Sequence, residues 1–383
     1  MIGWKWLTQP PATWALVVRV IVKAALWFVL FNLAFAGFDG IEVLNRVSLY
    51  NGLVPGRQRL PYGEDSRAYN LSLNSLDAMF ASHVITQPKA ADEYRVVLIG
   101  DSSVWGILLK PEETLAGVIN AAQLTLADGR QVRAYNLGHP ILALSKDLLI
   151  LEHVLREDAD LIIWLTTLQS FPRSKQLDAP LVQHNADDLR RLFRAYPLNY
   201  DMDDPRLSEP SFLDRTIIGQ RRNLADWLRL QLYGAMWGMT GIDQYIPPDG
   251  EARTADFEAD ISWEGYSEPQ PLTEDLLAFD MLGTGQQMVG EVPLLLINEP
   301  IFMSDGQNSE LRYNLWYPRW AYDRYRARYE AAAEANHWRY LDLWDLVDGA
   351  EFTDSPVHLT PAGSRQLAER VAAEIRTIAN RGP

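Results

Sequence analysis

The chain contains no cysteine in its 383 residues. Disulfide scaffolds, thiolate nucleophiles and cysteine-ligated zinc are thereby excluded. Histidine is scarce as well. None of the six histidines falls in an H-x-H or H-E-x-x-H spacing, so neither a metal nor any other cofactor is expected. Positive charge is the third shortage: at a formal net charge of −15 the chain lacks the basic face that phosphate contact requires, and nucleic acid is not an expected partner.

What positive charge there is collects at the start. Residues 1–60 carry Lys5, Arg19, Lys23, Arg46, Arg57 and Arg59 against Asp39 and Glu42, a local net charge of +4. Within this stretch Ala24 to Phe38 (AALWFVLFNLAFAGF) is uncharged. As a helix it would rise only about 22 Å, short of a ~30 Å hydrocarbon core. Extension back to Thr13 supplies a full span, with Arg19 and Lys23 snorkelling towards the headgroups. The expectation is a cytoplasmic tail at 1–12, a membrane anchor in the bilayer at 13–38, and residues 40–383 outside the cytoplasm, because the basic residues precede the apolar run. Two alternatives stand beside the single-pass anchor: a signal peptide cleaved after Ala34-Phe35-Ala36, and a helix lying in the membrane plane or buried.

Residues 39–94 are mixed and turn-rich and read as a juxtamembrane linker ending in a short helix. Beyond them lie apolar runs of the kind found in strands covered on both faces: Arg95 to Ile99, Val132 to Leu137, Leu161 to Leu165 and Val292 to Ile297, with Trp338 to Leu343 as a fifth. Helical periodicity separates them, in Ile141 to Leu155 and from Leu367 to Ile378 for example. Alternating strands and helices predict an α/β fold with a doubly wound parallel sheet over 95–383. A long insertion, 171–290, interrupts it, with helices expected at Asp187 to Tyr196 and Phe212 to Trp237. Between Ile246 and Asp280 it holds ten Asp/Glu against Arg253 alone. A solvated acidic loop, a lid, a flexible belt and a docking surface for a protein partner are all open readings. The stretch Arg215 to Met239 is basic, amphipathic and tryptophan-bearing, which suits either packing on the domain or contact with a membrane surface.

The candidate chemistry begins where the strand RVVLI runs into Gly100-Asp101-Ser102-Ser103. A serine there sits at the carboxyl edge of the sheet, where open α/β sheets bind ligands, and at a helix start whose free amides suit an oxyanion. The same residues would also make an ordinary N-cap turn. A partner stands near the C-terminus, in Phe352 to Gly363 (FTDSPVHLTPAG). There His358 precedes a helix start that Thr360 can cap with Pro361 at its first position. An imidazole within reach of the serine can take its proton, and a carboxylate can fix the imidazole's tautomer.

In these blocks the sequence resembles the SGNH (GDSL-like) hydrolase family. Gly100-Asp101-Ser102 is similar to the family's serine turn, Asn136-Leu137-Gly138 to its second block, and His358 with Leu359-Thr360-Pro361 to its last. The resemblance implies a flavodoxin-like three-layer fold, Ser102 as nucleophile, His358 as base, and the amides of Ser102 and Gly138 as oxyanion donors. Two departures stand out. Where the family has asparagine the chain reads Leu165-Thr166-Thr167-Leu168-Gln169, so the third oxyanion donor is either absent or replaced by the side chain of Thr167 or Gln169. The carboxylate, Asp354, lies four residues before His358 rather than three, so either a bulge at Pro356 brings it onto the imidazole or His358 works in a dyad with Ser102. Asn298, in Asn298-Glu299-Pro300 after the fourth strand, is a candidate substrate contact or simply part of a turn. The expected function is a membrane-anchored serine esterase or O-acyltransferase acting on acyl esters, such as those of envelope glycans or lipids. The alternative is a non-catalytic scaffold of the same fold that binds a protein partner.

Overall fold

A computed structural model describes residues 13–54, 56–62, 73–196, 198, 200–201, 203–242 and 253–381. The expected cytoplasmic tail, 1–12, and the first part of the acidic stretch, 246–252, lie outside the described residues. Among the described residues five strands form one parallel sheet: β1 (Glu93–Gly100), β2 (Gln131–Gly138), β3 (Leu161–Thr166), β4 (Leu294–Asn298) and β5 (Arg339–Asp342). Their order is β2-β1-β3-β4-β5, so the winding reverses between β1 and β3, the switch point at which such sheets open a crevice. All five begin and end within two residues of the apolar runs in the sequence, because strands covered on both faces need no polar alternation.

The helices among the described residues are α1 (Trp14–Gly37), α2 (Gly40–Asn45), α3 (Leu76–Ser82), α4 (Ser102–Trp105), α5 (Leu115–Ala121), α6 (Leu144–Val154), α7 (Pro180–His184), α8 (Ala186–Ala195), α9 (Arg221–Thr240), α10 (Phe279–Val289), α11 (Arg319–Asn336) and α12 (Pro361–Arg381). They cover both faces of the sheet. Val97 and Ile99 of β1 join a core with α3, α6, α10 and α11, while Val96 and Leu98 join a second core with α5 and α12. Helix α1 is long and apolar enough to cross a membrane. Its 24 residues span about 36 Å, and Thr13 caps it by accepting from Leu16 N at 3.3 Å.

Two readings of the organisation need correction. The described residues of 39–94 are not a linker: Tyr50, Leu60, Leu76, Met79, Phe80 and Ile85 are buried in the main core. The expected helix from Phe212 starts only at Arg221, since 211–220 form turns held by Ser211, whose amide and hydroxyl both donate to Asp214. Much of the insertion is likewise core, through Phe171, Leu181, Leu189 and Phe193. The described acidic stretch is a belt of irregular chain laid along α11. Arg312 donates to Asp260 O, Trp320 Nε1 to Ile261 O and Arg328 to Leu272 O. That seat accounts for the arginine- and aromatic-rich run before and within α11: its arginines satisfy belt carbonyls that have no sheet or helix partner.

The buried stretch after α3 carries a pH sensitivity. His83 is fully buried; its Nδ1 accepts from Ile85 N at 3.1 Å, which leaves Nε2–H to donate to Asn136 O at 3.1 Å. Burial holds the ring neutral and lowers its pKa to about 4, further favoured by the nearby Arg57 charge. In the unfolded chain the ring protonates near its ordinary value of 6.5. The unfolded state thus binds the extra proton first as pH falls, and stability is lost between about 6.5 and 4. The expected loss at this site between pH 7 and pH 5 is about 2 kcal/mol. Denaturant midpoints at the two pH values, compared with those of His83→Gln, check it; an unchanged slope in the variant would contradict the assignment.

Candidate active site

Ser102 is the first residue of α4, directly after the carboxyl end of β1. Asp101 caps this short helix by accepting from Ser103 N at 2.8 Å. Gly106 ends it in the left-handed region, at φ 85°, a conformation that favours glycine. Three side chains hold the turn from outside. Arg59 donates to the carbonyls of Trp105, Gly106 and Leu109 at 3.1, 2.9 and 3.2 Å, and its guanidinium lies 4.0 Å from the Trp105 ring centroid. Asn136 donates to Val104 O at 2.7 Å. Lys146, fully buried on α6, donates to Gly100 O at 2.8 Å and His139 O at 3.0 Å, clamping the ends of β1 and β2 together. Its counter-ion is Asp147 at 2.7 Å; burial pushes that carboxyl up to about 6 against the pull of the ammonium.

The C-terminal block brings its groups to this turn. Phe352 and Leu359 form an antiparallel bridge, Thr353 N donates to His358 O at 2.9 Å, and Pro356 O at the loop tip accepts from Phe302 N at 2.7 Å. The loop therefore doubles back, and Asp354 faces the imidazole despite its extra residue of spacing. His358 Nδ1 lies 2.8 Å from Asp354 Oδ1, and His358 Nε2 lies 2.9 Å from Ser102 Oγ. With Nδ1–H donating to the carboxylate, Nε2 carries the lone pair and accepts from the serine hydroxyl. His358 is buried and Ser102 half-buried, whereas the Asp354 side chain is 39% exposed. Burial raises the Asp354 pKa, but the hydrogen bond from His358 and its charge outweigh that and hold the carboxyl below its ordinary value.

Of the remaining candidates, three are engaged elsewhere. Gly138 was expected to offer an oxyanion amide, but its N–H donates to Asn136 Oδ1 at 3.1 Å. A Cβ there would lie 2.4 Å from Trp105 N, so the glycine is required by the close approach of β2 to α4. Thr167 is fully buried with Oγ1 2.9 Å from Tyr317 Oη. Asn298 is fully buried too: Nδ2 donates to Asp342 at 2.7 Å, and Oδ1 accepts from Tyr325 at 3.1 Å and Tyr322 at 3.3 Å, so it holds α11 to the sheet and is no substrate contact. Gln169 is half-buried, with Nε2 3.3 Å from Glu264 on the belt. Among the described residues the Ser102 amide has no acceptor, and it belongs to the nucleophile's own residue at the start of α4.

Beneath Ser102 lies a pair of buried carboxyls that sequence reasoning did not place. Glu299, beside the end of β4, accepts from Ser103 Oγ through Oε2 and is fully buried. Its Oε1 and Asp101 Oδ2 are both buried without a donor. Burial, with the Asp101 carboxyl within hydrogen-bond reach, pushes Glu299 well above the ordinary carboxylate range. A proton held by Glu299 and donated to Asp101 satisfies both orphan oxygens at once. No group of three or more His, Asp or Glu side chains suited to a metal ion occurs among the described residues.

No family model matches the chain. No curated protein matches it either. Among solved structures, an aryl esterase of M. smegmatis is 13% identical, with 74% of this chain and 98% of that one covered and a TM-score of 0.32. A lipase/acylhydrolase of Enterococcus faecalis is 14% identical over 74% of this chain and 95% of that one, with a TM-score of 0.36. A putative lipolytic protein of the G-D-S-L family from Desulfitobacterium hafniense is 11% identical over 73% and 98%, with a TM-score of 0.33. At such identities and scores these likenesses do not bear on the chemistry.

Proposed function

We propose that the chain is a serine ester hydrolase or acyltransferase, held at a membrane by α1, that works through an acyl-Ser102 intermediate. The observation that carries this reading is the continuous series Asp354–His358–Ser102, with both imidazole nitrogens engaged at 2.8 and 2.9 Å. His358 Nε2 takes the hydroxyl proton as Ser102 Oγ attacks the ester carbonyl, and Asp354 stabilises the resulting imidazolium. The carbonyl oxygen gains charge beside the Ser102 amide. His358 then returns its proton to the departing alkoxide, leaving the acyl group on Ser102. Water or a second hydroxyl, deprotonated by the same imidazole, attacks that ester and frees the serine. Exclusion of water by a bound acceptor is what separates transfer from hydrolysis. The positive-inside pattern of Arg19 and Lys23 before the apolar run supports a domain outside the cytoplasm, where acyl esters of envelope glycans and lipids are in reach.

The test is a fluorophosphonate probe on the full-length protein. One adduct is expected, on the peptide bearing Ser102, and none in Ser102→Ala. Absence of any adduct on folded protein would favour a scaffold. That second reading has one observation in its favour: the Gly138 amide and the Thr167 and Asn298 side chains are all committed to internal partners.

A further inference from the structure

We propose that α9 and the turns before it rest on the lipid bilayer, forming a second membrane contact beside α1. The proposal deepens the reading of α1 as a membrane span and rests on it. The outward face of α9 is apolar at i, i+4 spacing through Leu228, Leu232 and Met236, with Met239 one turn further. Leu232 and Met239 are 67% and 76% exposed, while Leu230 and Gly234 on the opposite side are buried. A soluble surface rarely presents so much contiguous apolar area without a partner.

Three observations name the bilayer as that partner. Ile218 N donates to Asn32 Oδ1 on α1 at 3.3 Å. Asn32 lies five residues before the end of α1, about 7.5 Å down the helix axis. If α1 spans, the turns of 211–219 are held at the depth of its last turn and a half, and there Leu213 is 75% and Ile218 53% exposed. Helix α9 is in turn fixed to the chain that has just left the span: Gln231 donates to Val47 O at 3.0 Å and accepts from Leu49 N at 2.8 Å, and Gly234 seats against the Tyr50 ring. The apolar face is thus set rigidly at the level where α1 emerges. The charge agrees. Residues 211–242 hold four arginines and two aspartates, a local net charge of +2 in a chain of net −15, and Arg221 and Arg222 at the start of α9 are exposed. Apolar side chains flanked by arginine are the composition of an interfacial helix on anionic lipid.

The chain has no cysteine, so single introduced cysteines report cleanly. Full-length Leu232→Cys and Met239→Cys, each carrying a nitrobenzoxadiazole dye, are placed in nanodiscs of phosphatidylcholine and phosphatidylglycerol (3:1) with lipids brominated near the headgroup. Both probes should lose at least about half of their emission relative to unbrominated discs. A probe at Ala373 on α12, across the sheet, should lose none. Leu26→Cys, in the middle of α1, reads the anchor separately with lipids brominated deep in the chains. Quenching at residue 26 without quenching at 232 and 239 would overturn the proposal and leave the anchor standing. Quenching at 232 and 239 without quenching at 26 would support the surface contact and overturn the span. A blue-shifted but unquenched α9 probe would mean that protein covers this face, and would also overturn the proposal.

Discussion

Replacement of His358 by alanine is expected to lower acyl-enzyme formation by about 10⁵-fold without unfolding the chain. Among the described residues the imidazole is the group placed to take the proton of Ser102 Oγ, at 2.9 Å. Without it the hydroxyl must attack at its intrinsic acidity. Asp354→Asn should cost less. An asparagine can present its amide to Nδ1 and favour the wrong tautomer, a change worth on the order of 10⁴-fold where the aspartate is sealed from water. Here the side chain is 39% exposed, so solvent partly substitutes for it and a loss of about 10²–10³-fold is expected. Because the folded Asp354 pKa is depressed, the carboxylate stays charged until pH falls below its ordinary range. Protonation of Asp354 should therefore not limit the rate above that range, and Asp354→Asn should lower the plateau. Pre-steady-state release of nitrophenol from a short-chain nitrophenyl ester measures both variants. A His358→Ala rate within tenfold of wild type would sink the catalytic reading of the series.

The ordering of these effects reflects how the site was written in the sequence. Ser102 and His358 were legible because a serine after an apolar strand and a histidine before a capped helix both land on one sheet edge, whatever happens between them. Asp354 was legible only as a carboxylate out of place; the Phe352–Leu359 bridge and the bend at Pro356 put it back. Polar residues at the ends of β3 and β4 misled for a physical reason. Thr167 and Asn298 stand where ligands bind, yet their partners are Tyr317, just before α11, and Tyr325 within it, 150 and 27 residues away, and no local pattern announces such pairs. The stretch 39–94 looked like a linker because its buried groups include Arg57, Arg59 and His83, residue types that composition assigns to the surface. Their burial is satisfied only across the fold, as Arg59 is by the carbonyls ending α4. One signal was available and went unused. Lys146-Asp147 interrupts the otherwise apolar face of α6, and a charged pair in such a place needs a buried partner.

The carboxyl pair under the nucleophile gives the second large effect. Glu299→Ala would leave the buried Asp101 Oδ2 and the half-buried Ser103 Oγ without partners and open a void below α4, at an expected cost of about 3–5 kcal/mol. Glu299→Gln is the informative variant. Its amide can donate to Asp101 and its carbonyl can accept from Ser103, reproducing the protonated acid without the titration. The Glu299 pKa is raised in the folded chain and near its ordinary value of 4.5 when unfolded. Between those values the folded state holds the extra proton, so the stabilisation is present below pH 4.5 and is lost as pH rises through the folded pKa. That slope opposes the one from His83. Glu299→Gln should therefore gain on wild type with rising pH, by about 1.4 kcal/mol per unit across the window. Denaturant unfolding of both proteins at several pH values above 4.5 reads the difference directly. A pH-independent gap would mean that Glu299 is ionised in the folded chain, and that the two carboxyls beneath Ser102 are held apart by something other than a shared proton.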